Sequence, residues 1–395
     1  MADAFDAGWS SPVARQAHNL KVTGSNPVPA PKVSEWLPSR EPFSIPGPIC
    51  DAQVSLISSA SLYRLMARLP LSVAIGDYDR VRALADGTVR LDGCDPIFMH
   101  LEPEEIFFRA FRQEAFDVCE LSLSTFAIRT ALGTNPYVGV PVFPSRAFRH
   151  NAIYVRTDRG IDRPQDLRGR RVGVPEYQLT ANVWARSILQ GDHGVKPSEL
   201  AWVRGGQEQP GRVEKAAIAV PQDVRIEPAP EGATLSGMLA AGEIDALIAP
   251  RAPSCFDRRA PNVGWLFPDP AAAAADWFRR TGVFPIMHVL GIRRALVEAH
   301  PWLPVACQKA FEAAKAIAVE RLADVSAAKV TLPFLEDNLR AARELLGHDY
   351  WPYGVENNRV TLDSFLEHHH SQGLSGRRLQ PEDLFHASVM ESFKI

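Results

Sequence analysis

From residue 66 onward, apolar positions fall into two kinds of run. Short runs such as "LSVAIG", ended by Gly76, and "FDVCELS", "YVGVPVF", "RRVGVPEY", "LAWVRG" and "IDALIAP" read as strands buried in a sheet. Between them lie stretches with the 3.6-residue period. In "PEEIFFRAFRQEAFD" the apolar residues 106, 107, 110 and 111 form one stripe, opened by Pro103 and acidic residues, which predicts an amphipathic helix. A second helix is predicted from about Thr180 to Gln190 and a third over "TLSGMLAAG". This alternation implies an α/β fold with open, largely parallel sheets and helices on both faces, and its repetition implies two lobes.

Residues 1–65 carry no sustained period and are rich in Pro, Ser and Gly, as in "TGSNPVPAPKVSEWLPSREPFSIPGPI", which predicts a disordered extension. "HNLKVTGSNPVPAP" further resembles the peptide made when a reading frame runs through the T-arm of a tRNA gene, so a mis-assigned start is expected, with Met66 as the first residue.

Composition narrows the function classes. A net charge of −3 over 395 residues leaves no broad basic footprint for nucleic acid or an anionic membrane. No apolar run approaches the ~20 residues of a membrane span, and the N-terminus lacks a secretory pattern, so a cytoplasmic protein is expected. The cysteines at 50, 94, 119, 255 and 307 are widely spaced without a CxxC pair, which predicts reduced thiols in or near the core.

"GI-x-x-P-x-DL-x-G-x-x-VGV" after an apolar strand, then "GEIDALI", resembles the type II periplasmic-binding-protein fold, in which hinge strands join two α/β lobes around a ligand cleft. "GDYDR", "ELSLSTF", "VFPSRAFRH", "VGVPEYQLTANVW", "GRVEK", "RAPSCF", "RRTGVFPIMHV" and "WPYG", in that order, narrow the resemblance to the 4,5-dihydroxyphthalate decarboxylase family. The resemblance implies lobe I over residues 66–150 and again from 287–395 with C-terminal helices, and lobe II over 151–286.

Ligands of open α/β sheets lie beyond the carboxyl ends of the strands, which directs attention to the segments that follow them. In "VFPSRAFRH", Arg146 and Arg149 are candidates for a carboxylate clamp and His150 for proton transfer, against the plainer reading of a solvated turn. "GDYDR" offers Asp77 as an alternative proton carrier and Arg80 as a substrate contact, or a capping acid and a surface cation. Ser122 and Ser124 would share one face of a strand and suit a polar ligand, if they do not simply cap the next helix. Glu176, Tyr177 and Thr180 sit where a strand hands over to a helix, so unsatisfied N–H groups predict a second carboxylate cradle, with Glu176 an alternative proton carrier beside Asp77 or else a capping acid. Arg251 and Ser254 lie in a Pro-punctuated loop as further substrate contacts. His288 on the apolar strand "IMHVLGI" would ordinarily be a core residue, and the family context makes it the second candidate proton carrier. The "EHHHSQG" run reads as a frayed helix end and not as a metal site.

The resemblance implies non-oxidative decarboxylation of 4,5-dihydroxyphthalate, or a related hydroxylated aromatic carboxylate, to 3,4-dihydroxybenzoate (protocatechuate) and CO2 in aromatic degradation. The hydroxyl para to each carboxylate serves as the electron sink, so no organic cofactor is required in principle, and a divalent metal held by the catechol stays open. The expected partner is a small aromatic dicarboxylate, with no nucleic acid and no membrane, and self-association into a homo-oligomer is left open. The rival, a solute-binding protein capturing an aromatic carboxylate for an ABC transporter, needs export or a lipid anchor, and neither signal is visible. A ligand-sensing module is disfavoured by the lack of a helix-turn-helix extension.

Overall fold

Two sheets organise the chain. In the computed structural model, which describes residues 68–390 except 213, 215–217 and 219, the first sheet holds β1 (Leu69–Ile75), β2 (Cys94–His100), β3 (Val118–Ser122), β4 (Tyr137–Val140) and β11 (His288–Arg293). Its order is β2-β1-β3-β11-β4, with β1, β2 and β3 parallel and β11 antiparallel to both its neighbours. The second sheet runs β10-β5-β9-β6-β7-β8, from β5 (Ile153–Arg156), β6 (Arg171–Val174), β7 (Ala201–Arg204), β8 (Arg225–Pro228), β9 (Ala246–Ile248) and β10 (Val263–Trp265). Here β9, β6, β7 and β8 are parallel, while β5 and β10 run against their partners. The antiparallel members qualify the expectation of largely parallel sheets, and β5 and β11 are the strands by which the chain enters the second lobe and returns to the first. This is the two-lobed, type II periplasmic-binding-protein-like architecture. The predicted extension over 1–65 and Cys50 lie outside the described residues; the other four cysteines are buried free thiols.

The two crossings pair with each other. Arg146 bridges Ile286, Ala147 N–H donates to the Pro285 carbonyl at 3.2 Å, and Met287 N–H donates to the Ser145 carbonyl at 2.8 Å. This short antiparallel contact is the hinge on which the lobes are hung.

Helix placement follows the apolar stripes. α1 (Asp79–Ala85) buries Val81, Ala83 and Leu84, and α2 (Pro103–Gln113) buries Ile106, Phe107, Ala110 and Phe111, the stripe expected from spacing. Pro103 takes the first helical position, where its missing N–H costs nothing, and Glu104 and Glu105 favour the positive end of the helix. α3 (Leu123–Ala131) begins directly after β3. α4 (Thr180–His193) is buried at every position from 180 to 189, as a helix covered on all sides must be. It lies between the lobes: Trp184 donates to the Ile286 carbonyl of the hinge at 2.9 Å, and Arg186 donates to Gln372 at 2.8 Å. α5 (Leu235–Ala241) and α6 (Pro270–Thr281) cover lobe II, while α7 (Leu303–Ala323), α8 (Leu335–Leu346) and α9 (Arg359–Ser371) follow the return to lobe I. No helix among the described residues is long and apolar enough to cross a membrane.

Candidate active site

The middle strand of the lobe I sheet carries a charge. β3 is buried at all five positions, yet its third residue is Glu120, which has no exposed surface. A carboxylate in such a place must be compensated. Oε2 accepts the Gly76 N–H at 3.0 Å, Oε1 accepts the Tyr78 hydroxyl at 2.7 Å, and Oε1 also meets Nδ1 of His288. Burial pushes the Glu120 carboxyl up, but the facing His288 and the hydrogen bonds from His288, Gly76 and Tyr78 outweigh it and hold the group below the usual carboxylate range. Strand register explains the contact. His288 lies opposite Ser122, so Glu120, two residues back on the same face, is its diagonal neighbour. Gly76 lets the turn after β1 fold tightly, because a Cβ there would come within 2.7 Å of the Tyr78 ring. Phe107 of α2 packs edge-on against the His288 ring at 4.9 Å.

Lobe II meets this group from the other side. Thr180, at the start of α4, places its hydroxyl 3.0 Å from that of Ser122 and accepts the Ser124 N–H at 3.0 Å. Glu176, fully buried after β6, accepts Arg212 Nε at 2.7 Å and Gln178 Nε2 at 3.2 Å. Arg212 reaches across to lobe I as well and donates to Glu104 of α2 at 2.7 Å. Farther out, Arg251 of lobe II pairs with Glu102 at 3.1 Å. A cavity of about 460 Å³ opens between these groups, lined by Glu104, Pro175, Leu179, residues 206–212, Pro250 and Arg251. Glu104 on the cavity wall and Phe107 against the His288 ring are one turn apart on α2, so the cavity lies beside the Glu120 and His288 pair.

Several expected site residues are placed elsewhere. His150 is buried in lobe II against the rings of Phe267 and Trp277, at 5.1 and 5.6 Å, and burial pushes its pKa down to about 4, so it is a neutral core imidazole here and not a proton carrier. Arg146 lies between Phe284 and Phe143 and donates to Asn358; burial lowers it to about 9, and its guanidinium braces the hinge where a carboxylate clamp was expected. Arg149 donates to Met287 Sδ at 3.1 Å, also at the hinge, and burial lowers it to about 10. Asp77 is exposed and paired with Arg82, which holds its carboxyl below the usual range. Arg80 is held between Tyr78 and Trp351 and donates to the Pro144 carbonyl, close to the site but committed within lobe I.

Ser122 and Ser124 do not share a strand face, because β3 ends at Ser122 and Ser124 is already in α3; the Ser124 hydroxyl bonds His369 at 3.1 Å. The Tyr177 side chain points into the lobe II core, with the Arg186 guanidinium 3.7 Å over its ring, so only its backbone faces the cleft. Ser254 bonds Ser236 and Arg258 within lobe II. The histidine run is no frayed end: His369 is fully buried between Ser124 and Ser375, and burial lowers its pKa to about 3.

Of the expected residues, Arg251 lines the cavity, Ser122, Thr180 and Glu176 are buried where the two lobes meet, and His288 is partly exposed beside Glu120. Glu120, Glu104, Arg212 and Glu214 were missed. The signal for Glu120 was visible: a lone acid within "FDVCELS", a run that must be covered on both faces. "GRVEK" gave no such signal, since a basic and an acidic residue in a polar loop are ordinary. Among the described residues, no group of three or more His, Cys, Asp or Glu is placed to hold a metal ion.

Residues 147–219, which include the Glu176 to Thr180 turn and Arg212, match the NMT1/THI5 like family model. The periplasmic aliphatic sulphonate binding protein of Escherichia coli is 12% identical, with a TM-score of 0.48 over 82% of this chain and 99% of that one. A Pseudomonas putida protein named 4,5-dihydroxyphthalate decarboxylase is 60% identical over 215 residues, 54% of this chain and 83% of its own. A Comamonas testosteroni protein of the same name is 59% identical over 330 residues, 84% of this chain and 100% of its own. At that identity over the whole length of a relative, the chain belongs to the 4,5-dihydroxyphthalate decarboxylase family.

Proposed function

We propose that the chain converts 4,5-dihydroxyphthalate to 3,4-dihydroxybenzoate and CO2, with His288 as the group that moves protons. The buried Glu120 and His288 pair carries the reading. Nδ1 of His288 is engaged by Glu120, so the ring is held in one orientation and Nε2 is the nitrogen left for a substrate. The carboxylate also balances the positive charge that the imidazole acquires when it takes a proton.

The chemistry suits such a group. Removing the proton from the phenol para to one carboxylate pushes electron density onto the ring carbon that bears it. That carbon takes a proton, the carbon–carbon bond breaks, and its electron pair restores the aromatic ring as CO2 leaves. Substrate dianion plus one proton gives product monoanion plus CO2. The site must bind the spectator carboxylate more firmly than the departing one, because stabilising the latter would oppose the reaction. The backbone N–H groups of Tyr177 and Gln178 and the Arg212 guanidinium are the candidates on lobe II for that hold. Since the para hydroxyl is the electron sink, the reaction is proposed to need no organic cofactor, and the enzyme is proposed to work in the cytoplasm.

Incubating the purified protein with 4,5-dihydroxyphthalate and measuring CO2 and 3,4-dihydroxybenzoate tests the reading. Formation of neither product at enzyme concentrations that bind the substrate would overturn it.

A further inference from the structure

The turn before α4 already holds a carboxylate. Glu214, two residues beyond Arg212, accepts the Tyr177 N–H at 2.6 Å and the Gln178 N–H at 3.4 Å. Two amides converging on one carboxylate are the cradle that the sequence predicts at this strand-to-helix turn for a substrate, and the chain fills it with its own acid. The occupant is under tension. Burial raises the Glu214 pKa, the Tyr177 N–H opposes this, and the neighbouring Glu176 carboxylate raises it again. Arg212, two residues before it, is divided between Glu176 and Glu104, and Arg204 is the cation that works against the rise. The cradle also adjoins the cavity, whose lining includes Pro175, Leu179 and Arg212.

We propose that Glu214 is a tethered stand-in for the spectator carboxylate of the substrate: it occupies the Tyr177 and Gln178 amides in the free protein and is displaced by an aromatic dicarboxylate. This rests on the cleft-binding part of the proposed function and adds a selectivity device to it. A neutral aromatic brings nothing that competes for the amides, so it leaves Glu214 in place. A dicarboxylate exchanges one carboxylate for another at the cradle and keeps its second for the reacting position. The tether lowers the apparent affinity for every carboxylate ligand by the fraction of time the cradle is taken.

Titration calorimetry with phthalate tests the proposal, since phthalate has both carboxylates but no hydroxyl to drive decarboxylation. Glu214→Gln is expected to tighten phthalate binding by roughly tenfold, the gain expected if the tethered carboxylate holds the cradle about nine-tenths of the time. In amide-resolved NMR of the wild type, saturating phthalate is expected to move the Glu214 side-chain carboxyl signal to its solvent-exposed position while the Tyr177 and Gln178 amides remain hydrogen-bonded. If Glu214→Gln melts well below the wild type, Glu214→Asp, one methylene short of the amides, supports the same comparison. Equal or weaker phthalate binding by the variants, or no phthalate binding by any of the proteins, overturns the proposal. Tightened binding without turnover of 4,5-dihydroxyphthalate would overturn the enzymatic reading and leave this one standing. Turnover with unchanged binding would do the reverse.

Discussion

In the proposed reaction the proton-moving histidine must be held in one orientation, and Glu120 engages Nδ1 of His288. His288→Asn keeps a hydrogen-bonding group but cannot carry the proton, so kcat for 4,5-dihydroxyphthalate should fall by about 10²–10⁴-fold with phthalate affinity largely retained. Glu120→Gln should lower kcat in the same direction while the fold survives, because the amide fits the site but does not balance an imidazolium. Steady-state kinetics beside calorimetry with phthalate separates the two effects. His150 makes the opposite case. Its pKa falls from an ordinary 6.5 in the unfolded chain to about 4 in the folded one, so below pH 6.5 the unfolded state binds a proton that the folded state refuses. Stability is therefore full above about pH 6.5 and is lost as pH falls toward 4, by roughly 3 kcal/mol at the limit. Denaturant unfolding between pH 7 and 4.5 should show this loss, and His150→Gln should flatten the slope; an unchanged slope would place His150 in contact with water.

At the scale of elements, the site is assembled at strand ends. β1, β3 and β11, the three inner strands, bring Gly76, Glu120 and His288 together in the lobe I sheet, and the tight turn after β1 folds Tyr78 back onto Glu120. Gly76→Ala puts a Cβ within 2.7 Å of the Tyr78 ring and should force that ring off Glu120. The expected result is a drop in kcat of about tenfold or more, since a small misplacement of a positioned catalytic group is costly, with a smaller change in melting temperature. A variant with wild-type kcat would show that Tyr78 does not help to hold Glu120. The "EHHHSQG" segment shows how an element can deceive. Its histidines point in different directions on α9, as the sequence implies, but one of those directions leads to Ser124 and into the core between the lobes.

For the whole molecule, the question is what brings the lobes together. Arg212 carries one of the polar contacts across the cleft, to Glu104 on one side from its place on the buried Glu176 on the other, beside those of Thr180 with Ser122 and Ser124, while Arg251 and Glu102 form a well-exposed pair that adds little. Arg212→Gln should favour an open form, with a larger radius of gyration by small-angle scattering in the presence of phthalate and a KM raised by about tenfold, equivalent to about 1.4 kcal/mol. Identical scattering from wild type and variant would move the closing force to the Thr180 and Ser122 contact or to the packing of α4.

Much of the fold was legible in the sequence because burial imposes a period on the chain. The apolar runs located β1, β3, β6, β7 and β9, and the stripe at 106, 107, 110 and 111 located α2. Which side chains would share the site was not legible. Glu120 and His288 are 168 residues apart and meet through antiparallel register, and Arg212 and Glu104 are 108 apart and meet through the approach of two lobes. Local pattern states only that a residue is to be buried or exposed. It does not state what it will face, which is why the Arg146 and His150 knot, rich in the right chemistry, turned inward among aromatic rings, while a single glutamate in an apolar strand came to hold the imidazole of the site.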